Sequence, residues 1–466
     1  MGDNVFRAYD VRGLYPAEID AEIAEKIGKA FGTFIHNTES AKKRLIKFGE
    51  EPIIAVGGDA RIHTPELKEA LISGLLSTGV NVIDFGMIPT PLLYFAVAFK
   101  RLDGGVVVTA SHNPKEYNGF KFCTYGGTCL SWETGIKTLM EAIKESKFKT
   151  VEKEGKCSEY NIEEEYKHYI STKIKLRWMD NLKIVVDAGN GVCGKVATDL
   201  FQLAGCKVVK LYCDPDGNFP NHGPDPIKKQ NLADLQKAVV ENQAYLGVAY
   251  DGDGDRVGFV DKDGNIMESQ IVLSIFSKDV LKSQAGSKIV FDVRASKSVE
   301  DIILSCGGIP IESRVGHSYI QSTVNNGCVF GGEHTGHYFF KENFGFDDGI
   351  FASLKLTEIL AKNNGLDKIV EGIPKYFTSD EVRVFCKDEE KFDVIERVKS
   401  DLKDKYKVSE IDGVKVLLDD GWFLIRASNT EPALTLRWES KTQDGFDQIK
   451  AKIKEIIQTY GLETNW

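Results

Sequence analysis

The chain has 466 residues, 42% of them hydrophobic and 27% charged, the make-up of an ordinary globular protein. That length exceeds what one hydrophobic core organises, so about three or four domains are expected. A formal net charge of −10 excludes a general nucleic-acid binder, which needs basic excess to neutralise phosphates, yet leaves room for a small anion held by a local cluster of Arg and Lys.

From the N-terminus, the chain starts on polar residues with no apolar signal core, and Phe6 stands where a myristoylation motif needs Ser or Thr. The most membrane-like stretch, 80–99, is broken by Asp84, Pro89 and Pro91 and is too short to span a bilayer. The nine cysteines include no Cys-x-x-Cys pair and read as reduced, packed thiols. A cytoplasmic protein with no membrane or nucleic-acid partner is expected, as a monomer or small homo-oligomer.

Three segments then share one plan of apolar strand, small polar turn, amphipathic helix, glycine and second apolar strand. They begin at Ile53 (IIAVGGDARIHTPELKEALISGLLSTGVNVIDFG), Lys183 (KIVVDAGNGVCGKVATDLFQLAGCKVVKLYCD) and Lys288 (KIVFDVRASKSVEDIILSCGGIPIESRVG). Strand runs dense in Val and Ile with helices between them predict βαβ units and sheets covered on both faces. Each segment is followed by a further strand that opens into an unusually polar loop: VVVTASHNP, LGVAYDGDGDR and CVFGGEHTGHYFF. Ligands of α/β sheets bind beyond the carboxyl ends of strands, so three loops from equivalent places predict one shared cleft. Beyond residue 372 the pattern changes to a charged helix (388–404), short strands and a final amphipathic helix (443–460), with 372–374 as the hinge. The fold class expected is α/β: three related α/β domains with mixed, βαβ-containing sheets, plus a C-terminal α+β domain, around a central cleft. The boundaries are 1–155, 156–262, 263–372 and 373–466.

The loops carry the chemistry. Asp251, Asp253 and Asp255 alternate with glycines, a spacing that points three carboxylates at one hard cation while the backbone bends around it. An EF-hand is excluded, because Arg256 stands where that loop needs Gly and Lys262 where it needs Glu. Three carboxylates and a phosphate oxygen suit Mg²⁺; the plainer reading is a solvated Asp-Gly turn. Ser111 follows an apolar strand, with His112 beside it and Lys121 further on; a Ser hydroxyl needs a base or a metal to become a nucleophile. Most Ser-His pairs are turn residues, so the weight here comes from the metal-type loop at an equivalent strand end. Arg426, Ser428, Asn429, Thr430 and Arg437 flank one turn and form a compact donor set for phosphate, against the plainer reading of a polar hairpin. Glu333 and His337 could hold sugar hydroxyls, and the absence of H-E-x-x-H excludes a zinc-protease site there.

One motif points elsewhere. Gly189, Gly191 and Gly194 form G-x-G-x-x-G between strand and helix, with Asp214 roughly twenty residues on, which would make the protein an NAD-dependent oxidoreductase. The equivalent turns of the other two repeats lack the pattern, and that reading leaves the SHNP, DGDGD and RASNT loops without a role.

Taken together, FRAYDVRG, TASHNP with YNGFK, FPNHGPDP, DGDGDR, GGEHTGHYFF and RASNTEPALTLR resemble, in order, the signatures of the α-D-phosphohexomutase superfamily. The last two are similar to its phosphomannomutase/phosphoglucomutase branch, with Thr335 where that branch tends to carry Ser; the phosphoglucosamine branch is the alternative. The resemblance implies an isomerase that interconverts hexose 1-phosphate and hexose 6-phosphate, of mannose, glucose or both. Ser111 would be phosphorylated, a hexose 1,6-bisphosphate would be the bound intermediate and activator, and Mg²⁺ would be held by Ser111, Asp251, Asp253 and Asp255. It implies catalytic roles for Ser111, His112, Lys121 and Arg12. It implies substrate contacts for Tyr9, Arg256, His317, Glu333, Thr335, His337, Arg426, Ser428, Asn429, Thr430 and Arg437. Closure of the last domain would exclude water, without which a mutase becomes a phosphatase.

Overall fold

A computed structural model describes residues 5–175, 180–363, 365–428, 431–464 and 466. The chain packs as two compact units, Met1–Ser269 with Thr335–Ile369, and Gln270–His334 with Val370–Trp466.

The first unit contains two sheets. In the N-terminal one, β1 (Val11–Leu14) and α1 (Ala21–His36) lead into β2 (Ile53–Gly58), α2 (Thr64–Leu76), β3 (Asn81–Met87), α3 (Thr90–Phe99), β4 (Gly104–Val108) and β5 (Tyr117–Thr124). The strand order is β1-β5-β4-β2-β3, with Cys157–Glu159 outside β3. The three central strands run parallel, whereas β5 returns antiparallel to β4 and β1 pairs antiparallel with β5. A sheet covered on both faces needs strands without a polar side, and β4 (GGVVV) is buried throughout. On one face α1 and α2 touch backbone to backbone: a Cβ on Gly28 would stand 2.2 Å from the Leu71 carbonyl, and one on Gly74 would stand 2.1 Å from that of Glu25. The membrane-like stretch divides here into β3 and the buried α3, which begins at Pro89 as N-cap with Pro91 in its first turn. Among the described residues, no helix is long and apolar enough to cross a membrane.

The second sheet repeats the plan with β6 (Lys183–Asp187), α4 (Gly194–Leu203), β7 (Lys207–Leu211), α5 (Ala233–Glu241), β8 (Leu246–Tyr250) and β9 (Val257–Asp261). Its order is β9-β8-β6-β7, flanked by Ile266–Met267, again with three parallel strands and an antiparallel return. Val185, Leu235, Val239, Ala249 and Val260 form its core.

In the second unit, β10 (Lys288–Asp292), α6 (Lys297–Ser305), β11 (Ile309–Ser313), α7 (His317–Asn325) and β12 (Cys328–Gly332) give the third copy, with parallel order β11-β10-β12. All three repeats thus place the second strand on one side of the first and the third on the other. The C-terminal domain is antiparallel: β13 (Val382–Phe385) and β15 (Gly421–Ala427) flank β16 (Ala433–Ser440), with β14 (Val414–Leu417) beyond β15. Two helices, α8 (Lys391–Lys403) and α9 (Gln443–Thr459), complete it. Alternation sorts its side chains. Phe423, Ile425, Leu434, Leu436 and Trp438 enter the core with Val398 and Ile453, leaving Leu424, Arg426, Thr435 and Arg437 on the other face.

Candidate active site

The turn that follows β4 carries Ser111, and the turn that follows β8 carries the three aspartates, both in the first unit. Ser111 is 1% exposed and adopts φ +51°, a left-handed conformation that costs a non-glycine residue about 1–3 kcal/mol and must be held by its surroundings. Its Oγ donates to Asp251 Oδ2 at 2.8 Å and lies 3.2 Å from His112 Nδ1. Burial, then the charges of Arg256, Arg12 and Lys121, hold the His112 imidazole well below its ordinary value, so it is neutral.

Asp251, Asp253 and Asp255 are each 0% exposed, and each offers a carboxylate oxygen within 4.8 Å of the others. Glycine backbone lets the turn double back: Gly254 has φ +80°, and its N–H donates to Asp251 Oδ1 at 2.8 Å. Among the described residues, Asp253 Oδ1 is buried without a hydrogen-bond partner. Burial, then Asp253 and Asp255, push the Asp251 carboxyl well above its usual range. Three dry carboxylates with one oxygen unmatched need more positive charge than the protein supplies, and an all-oxygen set of this kind fits Mg²⁺.

Lys121, on β5 opposite Val107 of β4, supplies part of that charge, its Nζ meeting Asp253 Oδ2 at 2.7 Å and also Asp255 Oδ2. Burial alone would lower its pKa, but Asp253, Asp255 and Asp251 outweigh it and keep the ammonium protonated. Arg12, on β1 and opposite Gly119, donates to Asn113 Oδ1 at 2.8 Å and to Asp10 Oδ2 at 2.6 Å, which ties it to the Ser111 turn. Tyr9 is half-buried just before β1. Arg256 Nε donates to His337 Nε2 at 2.8 Å; the proton of a neutral His337 is then on Nδ1, which lies 2.8 Å from Asp347 Oδ2. Thr335 is half-buried next to this segment.

The second unit carries the remaining residues. Arg426 and Arg437 share a face of the β15–β16 ladder and are 3% and 2% exposed. Arg426 Nε stands 3.1 Å from Asp412, while its Nη2, and Nε and Nη1 of Arg437, find no hydrogen-bond acceptor among the described residues. Burial pulls the Arg437 pKa down, although Asp292 opposes this. Burying guanidinium donors without acceptors is costly, and an anion removes that cost. Ser428 is buried at the end of β15, its carbonyl receiving Lys391 Nζ at 2.7 Å. Asn429 and Thr430 lie outside the described residues. Glu333 Oε1 accepts from Gly316 N–H at 2.7 Å, and His317, 4% exposed, opens α7 next to Gly316.

Several residues that matter to this geometry went unread in the sequence. Thr90, at the start of α3, grips the aspartate turn through its N–H to the Asp253 carbonyl (2.8 Å) and its Oγ1 to Asp253 Oδ2 (2.7 Å). Asp59 and Arg61, at the end of β2, underlie the Ser111 turn. Their signal was the recurrence of Asp-x-Arg at the same repeat position, as Asp292 and Arg294. The dinucleotide-like glycines, conversely, are filled by protein. A Cβ on Gly189 would stand 3.1 Å from His222, one on Gly191 would stand 2.8 Å from the Gly252 carbonyl, and one on Gly194 would stand 2.1 Å from that of Cys213. On its Cβ side the turn thus packs against protein and supports the aspartate turn.

A buried serine hydroxyl against a hard-cation carboxylate set, on a thrice-repeated α/β scaffold, defines a phosphoryl-transfer class of protein. Comparison with known proteins makes this specific. Family models of phosphoglucomutase/phosphomannomutase match at residues 3–150, 164–264 and 268–377 for alpha/beta/alpha domains I, II and III, and at 381–456 for the C-terminal domain. The chain is 40% identical to a phosphomannomutase/phosphoglucomutase of Pseudomonas syringae pv. tomato, covering 99% of this chain and 97% of the relative. It is 38% identical to a phosphoglucomutase of Neisseria gonorrhoeae, covering 98% and 97%. A crystal structure of a phosphoglucomutase/phosphomannomutase family protein from Burkholderia thailandensis superposes with a TM-score of 0.89 at 35% identity, covering 98% of both chains. The chain therefore belongs to the phosphoglucomutase/phosphomannomutase family, whose members are isomerases.

Proposed function

We propose that the protein interconverts hexose 1-phosphates and hexose 6-phosphates of glucose, mannose or both through a phosphorylated Ser111 and a bound hexose 1,6-bisphosphate. The observation that carries this reading is the Ser111 Oγ, held 2.8 Å from Asp251 in a buried cluster of three aspartates. The names borne by the relatives support it. The domains are taken as 1–155, 156–262, 263–372 and 373–466.

Asp251, Asp253, Asp255 and a phosphate oxygen on Ser111 would hold Mg²⁺, which would offset the charge of the transferring phosphoryl group. Phosphorylated Ser111 hands its phosphoryl group to the free hydroxyl of the hexose phosphate, giving the 1,6-bisphosphate, and takes back the phosphoryl group from the other end. The sugar hydroxyl that attacks phosphoserine must lose a proton, and the serine oxygen must recover one when it leaves. His112, 3.2 Å from Ser111 Oγ, and Lys121, kept protonated by its aspartates, would assist these proton transfers. Arg12 orients the Ser111 turn through Asn113.

Tyr9, Arg256 and His337 would receive the sugar in the first unit, with Thr335 beside them. In the second unit Glu333 and His317 would meet hydroxyls, and Arg426, Ser428, Asn429, Thr430 and Arg437 would bind the phosphate that is not being transferred. The unmatched guanidinium donors of Arg426 and Arg437 support an anion there.

The test incubates purified protein with glucose 1-phosphate, then mannose 1-phosphate, with Mg²⁺ and a trace of hexose 1,6-bisphosphate. Wild type and Ser111→Ala run side by side, scored for 6-phosphate and free phosphate. Isomerisation of one or both sugars that collapses in the mutant and on chelation is the expected result. Phosphate release without isomerisation would make the protein a phosphatase, and turnover of glucosamine phosphate alone would move it to the other branch.

A further inference from the structure

One buried side chain, Arg61, underlies the Ser111 turn. Arg61 is 1% exposed, and a guanidinium that dry must satisfy its five N–H donors internally. Each has an acceptor. Nε donates to Asp59 Oδ2 at 3.0 Å. Nη1 donates to the carbonyls of Pro114 (2.6 Å) and Tyr117 (3.0 Å), and Nη2 to those of Ser111 (2.9 Å) and Asn113 (2.7 Å). Four carbonyls of one turn thus converge on one cation.

The other side of Ser111 leads to the same ion pair. The Ser111 N–H donates to Thr109 Oγ1 at 2.8 Å, and Thr109 Oγ1 donates to Asp59 Oδ2 at 2.7 Å. Asp59 Oδ1 meanwhile accepts from the Arg61 N–H (3.0 Å) and Thr64 Oγ1 (2.7 Å), which locks the pair to the start of α2. Both peptide groups flanking the Ser111 Cα are therefore tied to Asp59–Arg61. Those peptides define φ and ψ, and φ here is +51°, a value serine does not favour by itself.

The device recurs in the second unit. Arg294 donates to Asp292 through its N–H (2.7 Å), Nε (3.0 Å) and Nη2 (3.1 Å), and Asp292 Oδ2 receives the His334 N–H at 2.8 Å, in the turn after β12. In the middle repeat Gly189 stands at the arginine position, and only its N–H bond to Asp187 (2.9 Å) remains. Arginine is present under the turns that carry Ser111 and His334 and missing in the repeat whose own turn carries the three aspartates.

We propose that Arg61 is a positioning residue that holds Ser111 in its left-handed conformation and so aims Oγ at Asp251, an inference that rests on the reading of Ser111 as the phosphoryl carrier. Lysine cannot replace it: it has one nitrogen and three donors for a fan of five acceptors.

The test compares Arg61→Lys and Arg61→Met with Arg44→Met, which removes another largely buried arginine clasp (Arg44 to Asp103 and the Arg101 carbonyl) from the same domain. Each variant is measured for Tm, kcat, KM for the hexose phosphate and amide hydrogen exchange. A nucleophile displaced by about 1 Å can lose about 10²-fold in rate. Arg61→Met is therefore expected to lose about 10²-fold in kcat with KM within about threefold, and Arg61→Lys a smaller part of that. In both, exchange quickens within residues 109–117, whereas Arg44→Met lowers Tm without this kcat loss. If Arg61→Met does not fold, Arg61→Lys decides alone. Wild-type kcat and exchange in Arg61→Lys, or kcat losses that follow Tm equally in the Arg44 and Arg61 variants, would overturn the proposal. An inactive Ser111→Ala beside a fully active Arg61→Lys sinks the clasp alone, while isomerisation surviving in Ser111→Ala removes the Ser111 reading and the proposal with it.

Discussion

Gly191→Ala places a single methyl group where the glycine-rich turn meets the aspartate turn. The backbone of Gly191 is not in the left-handed region, so alanine meets only a packing obstacle: its Cβ would stand 2.8 Å from the Gly252 carbonyl oxygen and 2.9 Å from the Gly252 Cα. A carbon sits about 3.3–3.6 Å from a carbonyl oxygen at ordinary contact, so Gly252 must retreat by roughly 0.5–0.8 Å. Gly252 lies between Asp251 and Asp253, and a Cβ on it would stand 2.7 Å from the Ser111 carbonyl, so the retreat disturbs both halves of the site. Overpacking of this size costs about 1–3 kcal/mol of stability, a few degrees in Tm. Displacing a metal-type carboxylate pair by more than half an ångström should lower kcat about 10- to 100-fold. The assay is steady-state isomerisation across a Mg²⁺ titration, with thermal melts in parallel. The expected outcome is a lower kcat, a higher Mg²⁺ requirement and a nearly unchanged KM for hexose phosphate. Wild-type kcat and Mg²⁺ dependence at a lowered Tm would refute the link between this turn and the aspartates.

Arg437→Met removes a buried cation whose Nε and Nη1 find no acceptor among the described residues. The variant should melt at or above the wild-type temperature in phosphate-free buffer, lose the stabilisation that inorganic phosphate confers on wild type, and raise KM by about tenfold or more, a charge-assisted bond being worth about 1.5–3 kcal/mol. A variant still stabilised by phosphate would argue against the anion site. His222 faces Asp187 through Nε2 (3.1 Å) and the Gly223 carbonyl through Nδ1 (2.9 Å), with Tyr212 edge-on and the charge of Asp234 nearby. Burial alone would lower its pKa, but these acceptors, Asp187 foremost, raise it above its ordinary 6.5. The imidazolium therefore stabilises the fold fully below that ordinary value and stops doing so as pH rises through the folded one. The Tm advantage of wild type over His222→Gln should be largest near pH 6 and shrink towards pH 8; a constant difference would contradict the charged pair.

The amino-acid sequence by itself determined the three-fold βαβ repeat, the different character of the last domain, and the loops in which Ser111, the three aspartates, Glu333 and Arg426 stand. These are local or periodic signals: Val- and Ile-rich runs broken by glycine, carboxylates two residues apart, a hydroxyl at a strand end. The repeat also announced that the loops occupy equivalent strand ends, and the parallel strand orders bear this out. Only the tertiary structure decided which side chains meet. That Ser111 reaches Asp251 across 140 residues, that Thr90 grips Asp253, and that Arg61 is consumed by the carbonyls of the Ser111 turn depend on distances between chain segments far apart in sequence. The glycine motif shows the same division. Its spacing is that of a dinucleotide turn, but whether a glycine face admits a phosphate or a neighbouring carbonyl is settled by what the rest of the chain packs against it, and here that is the backbone of Gly252 and Cys213.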